Sequence, residues 1–161
     1  MPEIIIIAHN IRSTYNVGSI FRTSEGFGVK KIILSGYTPY PMLENDKRLP
    51  HIAEKLAKQI HKTALGAEKL VPFEHQETPN ISELKASGYK IVALEQHAGS
   101  TAINKHRRSQ KIALILGEEV DGINQDLLNL SDEIIEIPMV GKKESFNVSV
   151  AVGIALYALN N

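Results

Sequence analysis

The chain opens with MPEIIIIAHN (residues 1–10), in which residues 4–8 form an unbroken apolar run, and a second such run, IALIL, occupies residues 112–116. Runs that are apolar throughout indicate strands buried on both faces, as in a parallel sheet covered by helices. Shorter strand-like runs at residues 31–34, 69–71, 90–94 and 133–137 alternate with helical patterns. The sequence therefore predicts an α/β domain with a mostly parallel sheet and helices on both faces.

Five segments have helical spacing, at residues 16–27, 49–65, 81–86, 123–130 and 146–159. No fixed-period repeat or low-complexity linker divides the chain, so a single domain is expected over residues 1–161. In the last helix, the hydroxyl of Tyr157 is the only polar side-chain atom between Val150 and Leu159. A helix that is apolar on all sides needs cover on all sides, which a subunit interface or a cleft in its own sheet would provide.

The amino-acid composition limits the classes of protein to which the chain can belong. The chain has 161 residues, of which 43% are hydrophobic and 22% charged, and these fractions are typical of one globular domain. It has no cysteine, which excludes disulfides, thiolate zinc sites and cysteine nucleophiles. No segment approaches the roughly 18–20 apolar residues of a membrane span, and the isoleucine run is too short for a signal peptide. We therefore expect a cytoplasmic protein without a membrane partner.

The net charge is zero, with 18 Lys and Arg against 18 Asp and Glu. This balance does not favour nucleic-acid binding, because such domains are usually basic. Phosphate contacts need only local clusters, however. The candidate clusters are Lys30 with Lys31, residues 105–108 (KHRR), and Lys142 with Lys143. The alternative interpretation of each cluster is that it belongs to the ordinary solvated surface.

A first constellation, NVGSIFR, occupies residues 16–22. Asn16 is a favoured helix N-cap, and Arg22 projects away from the apolar stripe of the helix that follows. Gly18 and Gly26 flank Arg22 one turn away on the same side and leave space for a bulky group. Because each glycine costs about 1 kcal/mol relative to alanine, a site or a close interface would explain them. The alternative is an arginine held in a structural ion pair.

Two further constellations follow predicted strands. LGEEVDG (residues 116–122) stands where ligands bind in open α/β sheets, beyond the carboxyl end of a strand. Its three carboxylates lack a histidine or a further carboxylate at ligand spacing, so no metal site is predicted. IPMVGKKESFNVS (residues 137–149) leads into the last helix, which Ser145 or Asn147 can cap, with Ser149 in its first turn.

In this order and spacing, the three segments resemble the SpoU–TrmH family of RNA ribose 2′-O-methyltransferases, in the SPOUT superfamily. The first family motif is an Asn followed six residues later by an Arg, here Asn16 and Arg22. The second is L-G-x-E-x-x-G, here with Glu119, and the third is I-P-M-x-G-x-x-x-S-hydrophobic-N-V-S, here residues 137–149. Each motif alone is weak, but all three in order are specific, and the match spans nearly the whole chain.

The resemblance implies a SPOUT-type fold with a trefoil knot near the C-terminus, an obligate homodimer, and S-adenosylmethionine as cofactor, with no metal. It assigns cofactor binding to the knotted loops, here Leu94, Glu95, Gly117, Ile137, Met139, Ser145, Asn147 and Val148. It assigns catalysis to Arg22, Asn16, Glu119, Ser145 and Asn147. Arg22 either accepts the ribose proton or stabilises the developing alkoxide. Asn16 positions RNA or orients Arg22, and Glu119 fixes a loop or a substrate hydroxyl.

The implied reaction is methyl transfer to a ribose 2′-hydroxyl in RNA, with tRNA preferred over rRNA. Many relatives carry an RNA-binding extension, which we do not expect here, so RNA affinity would come from this domain, a second subunit or a partner. One alternative is a catalytically silent RNA-binding dimer, which would be expected to have lost Arg22 or Asn147. Another is a nucleotide-binding oxidoreductase, which needs G-x-G-x-x-G after the first strand, where this chain has Ala8, His9 and Asn10.

Overall fold

The computed structural model describes residues 1–161 and contains a seven-stranded, all-parallel sheet with the strand order β3-β2-β1-β6-β4-β7-β5. The strands are β1 (Glu3–His9), β2 (Lys31–Ser35), β3 (Phe73–Gln76), β4 (Lys90–Leu94), β5 (Thr101–Ala102), β6 (Lys111–Leu116) and β7 (Glu133–Glu136). The two longest apolar runs are neighbours at the centre, where Ile6 of β1 is in register with Leu114 of β6. The predicted parallel α/β sheet is confirmed.

Helices cover both faces of the sheet. They are α1 (Thr14–Gly26), α2 (Pro50–Ala64), α3 (Ile81–Ala86), α4 (Gln125–Leu130) and α5 (Val148–Asn160). Successive β1 side chains point to opposite faces. Ile4 and Ile6 pack with α1, α2 and α5, while Ile5 and Ile7 pack with α3 and α4. Because both faces of β1 are buried in a hydrophobic core, its sequence shows no alternation of apolar and polar residues.

The sheet edges differ from the prediction. The prediction of a strand at residues 69–71 is wrong, because residues 67–69 form a 3-10 helix. The backbone N–H groups of Leu70 and Val71 both donate to the carbonyl oxygen of Ala67. The strand begins after Pro72 and consists of half-buried residues, FEHQ. The two-residue strand β5 was also not predicted. Both strands lie at edges of the sheet, where no continuous apolar run is required.

The start of α1 also differs from the prediction. Ser13, not Asn16, is its N-cap, because the Ser13 hydroxyl oxygen accepts a hydrogen bond from the backbone N–H of Asn16 at 3.2 Å. The side chain of Asn16 is therefore released for other contacts. The last helix begins at Val148, and Asn147 caps it by accepting from the backbone N–H of Ser149 at 2.9 Å. Of the two candidate caps for this helix, Ser145 and Asn147, the structure therefore uses Asn147.

The final helix is covered on one side only. Its buried residues pack on the sheet and on α1, and they are Val148, Val152, Ala155, Leu156 and Leu159. On the other side, Phe146 just before the helix, Val150 and Tyr157 are 41%, 49% and 65% exposed. The sheet and α1 therefore cover one side of the helix and leave the apolar side chains of the other side exposed. None of the five helices combines the length and apolarity needed to cross a bilayer.

Of the candidate basic clusters, Lys30 and Lys31 are engaged in ion pairs. The Nζ of Lys30 lies 2.8 Å from a carboxylate oxygen of Glu3, and that of Lys31 lies 3.0 Å from one of Glu74. In the segment 105–108, the Arg108 guanidinium donates to the carbonyl oxygen of Asn161. The third pair, at residues 142 and 143, is exposed in the loop after β7.

Candidate active site

A cavity of about 280 Å³ lies at the carboxyl ends of β4, β6 and β7. This is where open α/β sheets bind ligands. The cavity is lined by Leu94, Glu95, Gln96, residues 116–122, Glu136, Ile137, residues 144–146, Val148 and Ala151. Six of the eight residues expected to bind the cofactor are among them: Leu94, Glu95, Gly117, Ile137, Ser145 and Val148. Met139 and Asn147 do not line the cavity.

The loop after β6 is held by hydrogen bonds within its own backbone and by a hydrogen bond to Glu95, just after β4. Glu118 and Gly122 exchange backbone hydrogen bonds of 3.1 and 2.9 Å, which define the loop of residues 118–122. One carboxylate oxygen of Glu95 accepts from the N–H of Ile123 at 2.8 Å, and the other accepts from the N–H of Gln96 at 2.9 Å. Gly122 has φ +70°, and a Cβ there would lie 2.2 Å from the Glu95 carboxylate. Only glycine therefore suits this position.

Three predicted catalytic residues form a hydrogen-bonded chain beside the cavity. The side-chain amide of Asn16 donates to a carboxylate oxygen of Glu119 at 3.0 Å, and that of Asn147 donates to the Asn16 side-chain oxygen at 3.3 Å. Asn147 caps α5 with its own oxygen, so its amide nitrogen has a fixed direction. The network joins residues from all three sequence constellations. Ser145, the fourth predicted residue, lines the cavity and is exposed.

Arg22 stands apart from this network. It is exposed, its side chain has no hydrogen bond or ion pair within the chain, and it does not line the cavity. Arg22 lies six positions after Asn16 in α1, which corresponds to roughly 9 Å along the helix axis and about 120° around it. The structural ion pair considered from sequence is absent, and a single chain does not bring Arg22 to the other predicted catalytic residues.

The glycines beside Arg22 have different explanations. A Cβ on Gly18 would lie 2.1 Å from the hydroxyl oxygen of Thr63 and 2.2 Å from the carbonyl oxygen of Ile60, both on α2. Gly18 is therefore required by close packing of α1 on α2, and it does not provide room beside Arg22. Gly26 has no heavy atom within 4 Å of an added Cβ, so its surroundings are open.

The cavity combines carboxylates with apolar walls. Six acidic residues line it, and no Lys, Arg or His does: Glu95, Glu118, Glu119, Asp121, Glu136 and Glu144. Such a surface attracts cations and repels phosphates. The structure has no group of three acidic or histidine side chains placed to hold a metal ion. The arrangement suits an organic cation with an apolar part.

Sequence reasoning missed two side chains near this cavity. Gln96 donates to the carbonyl oxygen of Ile137 at 3.1 Å and so connects the segments after β4 and β7. Arg12 lies 3.2 Å from a carboxylate oxygen of Glu118. Both follow strands at the carboxyl edge of the sheet, and this position was the signal that could have identified them.

The family model described as SpoU rRNA Methylase family matches residues 3–157. The chain is 30% identical over 157 residues to a tRNA (guanosine(18)-2'-O)-methyltransferase of Aquifex aeolicus (strain VF5), covering 96% of this chain and 67% of the relative. It is 28% identical over 158 residues to the 23S rRNA (guanosine-2'-O-)-methyltransferase RlmB of Nitrosomonas europaea, covering 97% of this chain and 55% of the relative.

Solved structures agree with these matches. The A. aeolicus TrmH/SpoU tRNA modifying enzyme superposes with a TM-score of 0.80 at 26% identity, covering 99% of this chain and 74% of that one. The AdoMet-bound rRNA methyltransferase from Sinorhizobium meliloti gives a TM-score of 0.80 at 22% identity, which shows a shared fold. This chain spans 56% of that protein and 55% of the N. europaea relative.

Proposed function

The chain belongs to the SpoU rRNA Methylase family, and from this premise we propose that it transfers a methyl group from S-adenosylmethionine to a ribose 2′-hydroxyl in RNA. The observation that carries the proposal is the hydrogen-bonded chain Glu119–Asn16–Asn147, which unites the three motifs beside one cavity. Relatives named for 2′-O-methylation of tRNA and of 23S rRNA support RNA as the substrate. We favour tRNA, because the more similar of these two relatives is named for tRNA.

The lining of the cavity fits this cofactor. S-adenosylmethionine, when bound, supplies an electrophilic methyl group on a positively charged sulfur. Leu94, Ile137 and Val148 provide apolar surface for the adenine, and the carboxylates lower the energy of the positive charges. Gly117, Glu95 and Ser145 also line the cavity and are assigned to cofactor binding. Asn147 is assigned as a positioning residue, because it reaches the site only through Asn16.

Arg22 is proposed to stabilise the reacting oxygen. The 2′-oxygen becomes a nucleophile as its proton leaves to solvent, and negative charge then develops on it. A guanidinium stays protonated at neutral pH, so we assign Arg22 as a fixed cation for this charge and not as a proton acceptor. Such electrostatic stabilisation is commonly the largest single contribution to catalysis. Asn16 and Glu119 orient the ribose beside the cavity.

We further propose a homodimer in which Arg22 of one chain completes the cavity of the other. Arg22 precedes Thr23, whose methyl group lies 3.7 Å from the position of a Cβ on Gly153 of α5. Thr23 therefore borders the exposed side of α5, which includes Val150 and Tyr157, and Arg22 is the residue before it on α1. A second copy packed on this surface would bury it and receive Arg22. The trefoil knot and the cytoplasmic location remain predictions.

The proposal is tested by methyl transfer in vitro. RNA from cells lacking the gene is incubated with purified protein and isotopically labelled S-adenosylmethionine, then digested and analysed by mass spectrometry. We expect a labelled 2′-O-methylnucleoside in the tRNA fraction with the native protein, and a strongly reduced signal with Arg22→Ala. Label in rRNA alone would contradict the tRNA preference. Cofactor binding without label in either fraction would contradict the activity.

A further inference from the structure

A second concave surface adjoins the candidate active site. This groove, with a volume of about 380 Å³, lies at the carboxyl ends of β1 to β3. It is lined by Arg12, Thr14, residues 36–40, Arg48, Leu56 and His75. No carboxylate is among these residues, although the cavity beside it has six. The two surfaces meet at Glu118, which lines the cavity and forms an ion pair with Arg12 of the groove.

The wall of the groove is held rigidly. The ring of Tyr40 stacks on His75 with centroids 4.2 Å apart, and the Arg48 guanidinium lies over the Tyr40 ring, 3.7 Å from its centroid. Arg48 also donates to the carbonyl oxygens of Tyr40 and Pro41 and to the carboxylate of Asp46. These contacts hold the loop after β2, and they engage the Tyr40 ring and the guanidinium of Arg48, whose side chain is only 17% exposed.

Two side chains in the groove remain available. The side chain of Arg12 is 74% exposed, and its guanidinium pairs with the carboxylate of Glu118 at 3.2 Å. Tyr37 is 53% exposed. Partial burial and the neighbouring Glu118 carboxylate raise the pKa of the Tyr37 hydroxyl. A tyrosine is neutral at physiological pH even with its ordinary pKa of about 10. The groove thus presents one accessible guanidinium and one accessible aromatic ring.

The contrast in charge determines where an RNA backbone can run. Carboxylates lining the cavity repel phosphates, so the strand that delivers its ribose to the cavity is expected to leave over a surface without acids. The groove is such a surface, and Arg12 stands at its border with the cavity. Guanidinium groups bind phosphates, and exposed aromatic rings stack unpaired bases.

We propose that this groove binds the nucleotide next to the methylated one, with its phosphate on Arg12 and its base stacked on Tyr37. The inference rests on the proposed function, because it takes single-stranded RNA as the ligand and the cavity as the site of methyl transfer. It assigns RNA recognition to the catalytic domain itself. The groove therefore places one exposed guanidinium, that of Arg12, beside the cavity in a chain whose net charge is zero.

The test measures binding of a short fluorescent single-stranded RNA of mixed sequence over a series of salt concentrations. Arg12→Gln removes one phosphate contact, so we expect weaker binding and a salt slope smaller by about 0.7. Tyr37→Leu removes a stacking surface, so we expect about tenfold weaker binding with an unchanged slope. The matched control is Lys85→Gln on α3, which also removes one positive charge and one surface ion pair, with Asp132. It should bind as the native protein does.

Calorimetry with S-adenosylmethionine separates this inference from the proposed function. Both groove variants should keep cofactor affinity, and in methylation of tRNA from cells lacking the gene they should raise KM for RNA more than they lower kcat. If the native protein methylates RNA while both groove variants match Lys85→Gln, the groove is not the binding site and the proposed function stands. If RNA binding depends on the groove but no methyl transfer occurs, the groove is an RNA site and the proposed activity fails, and with it the placement of the groove next to a methylated nucleotide.

Discussion

The carboxylate of Glu95 at the end of β4 accepts a hydrogen bond from the backbone N–H of Ile123, 2.8 Å away and 28 positions later in the chain. This contact holds the loop of residues 118–122 against the neighbouring strand. The same loop provides Glu119, which accepts from Asn16. Glu95 therefore acts on the site mainly by positioning a loop, in addition to lining the cavity.

We expect Glu95→Gln to weaken S-adenosylmethionine binding by about tenfold, because the N–H of Gln96 or of Ile123 loses its acceptor and such a loss costs about 1–3 kcal/mol. Calorimetry measures the affinity, and hydrogen exchange at Ile123 should become faster. Glu144→Gln is the matched control, since Glu144 lines the same cavity without a hydrogen bond to the protein. Equal losses in both variants would show that charge alone matters.

Arg22→Ala should reduce methyl transfer by at least about 100-fold, the scale of losing one transition-state donor. Thermal stability and cofactor affinity should change little, because Arg22 is exposed and has no partner in the chain. Arg22→Lys keeps the charge but loses the planar fork. Substantial activity in Arg22→Lys supports electrostatic stabilisation, whereas its near-complete loss favours a geometric or proton-accepting role. Native activity in Arg22→Ala would refute the assignment.

A shared active site predicts complementation between inactive variants. Mixed dimers of Arg22→Ala with Asn147→Ala would contain one cavity with both native residues. Random subunit exchange makes about half of the dimers mixed, so we expect about a quarter of native activity. Tyr157→Glu places a charge on the exposed side of α5 and should shift light scattering towards the monomer mass of 17.8 kDa. A native protein that is monomeric at micromolar concentration would rule out this arrangement.

Gly18→Ala should lower the free energy of unfolding by about 1–3 kcal/mol, because the added methyl group would overlap the backbone of Ile60 and the hydroxyl of Thr63. Gly26→Ala is the control on the same helix. It has open space around it and should be neutral or stabilising by up to about 1 kcal/mol. Denaturant unfolding measures both. Similar effects of the two substitutions would contradict the role of Gly18 in helix packing.

Glu133 makes folding stability sensitive to acid. Burial alone would raise the pKa of its carboxyl, but Lys90 at 2.5 Å and His106 at 3.0 Å outweigh burial, and the pKa is lowered. A lowered folded-state pKa contributes stability that is present above the unfolded value of about 4.3 and is lost as pH falls through the folded value.

Thermal melts over a pH series test this dependence. We expect Glu133→Gln to lower Tm at pH 7, with the difference from the native protein narrowing below about pH 4. Glu77→Gln, an exposed position without an ion pair, is the control and should leave the curve unchanged. A difference that stays constant down to pH 2–3 would show that the carboxylate charge of Glu133 contributes no stability.

The central strands could be predicted from sequence, because a short run that is apolar throughout indicates a strand buried on both faces. Most helices could be predicted from the helical spacing of their apolar residues. The side chains of residues 4–8 point alternately to the two faces of the sheet, and each face has its own hydrophobic core that buries them. Edge strands escaped prediction, since half-buried residues such as those of β3 carry no clear pattern. The cap of α1 was misplaced because Ser13 and Asn16 are both good N-caps and only backbone geometry distinguishes them.

The sequence by itself determined the fold class, the order of the three motifs and the family that they indicate, because periodicity and spacing are local properties of the chain. Tertiary structure alone decided that Asn16 meets Glu119 and Asn147, which are separated from it by 103 and 131 positions. It also decided that Gly18 serves helix packing and that Arg22 does not line the cavity of its own chain. These contacts depend on how the strands are ordered in the sheet, and strand order arises from long-range packing that no local pattern encodes.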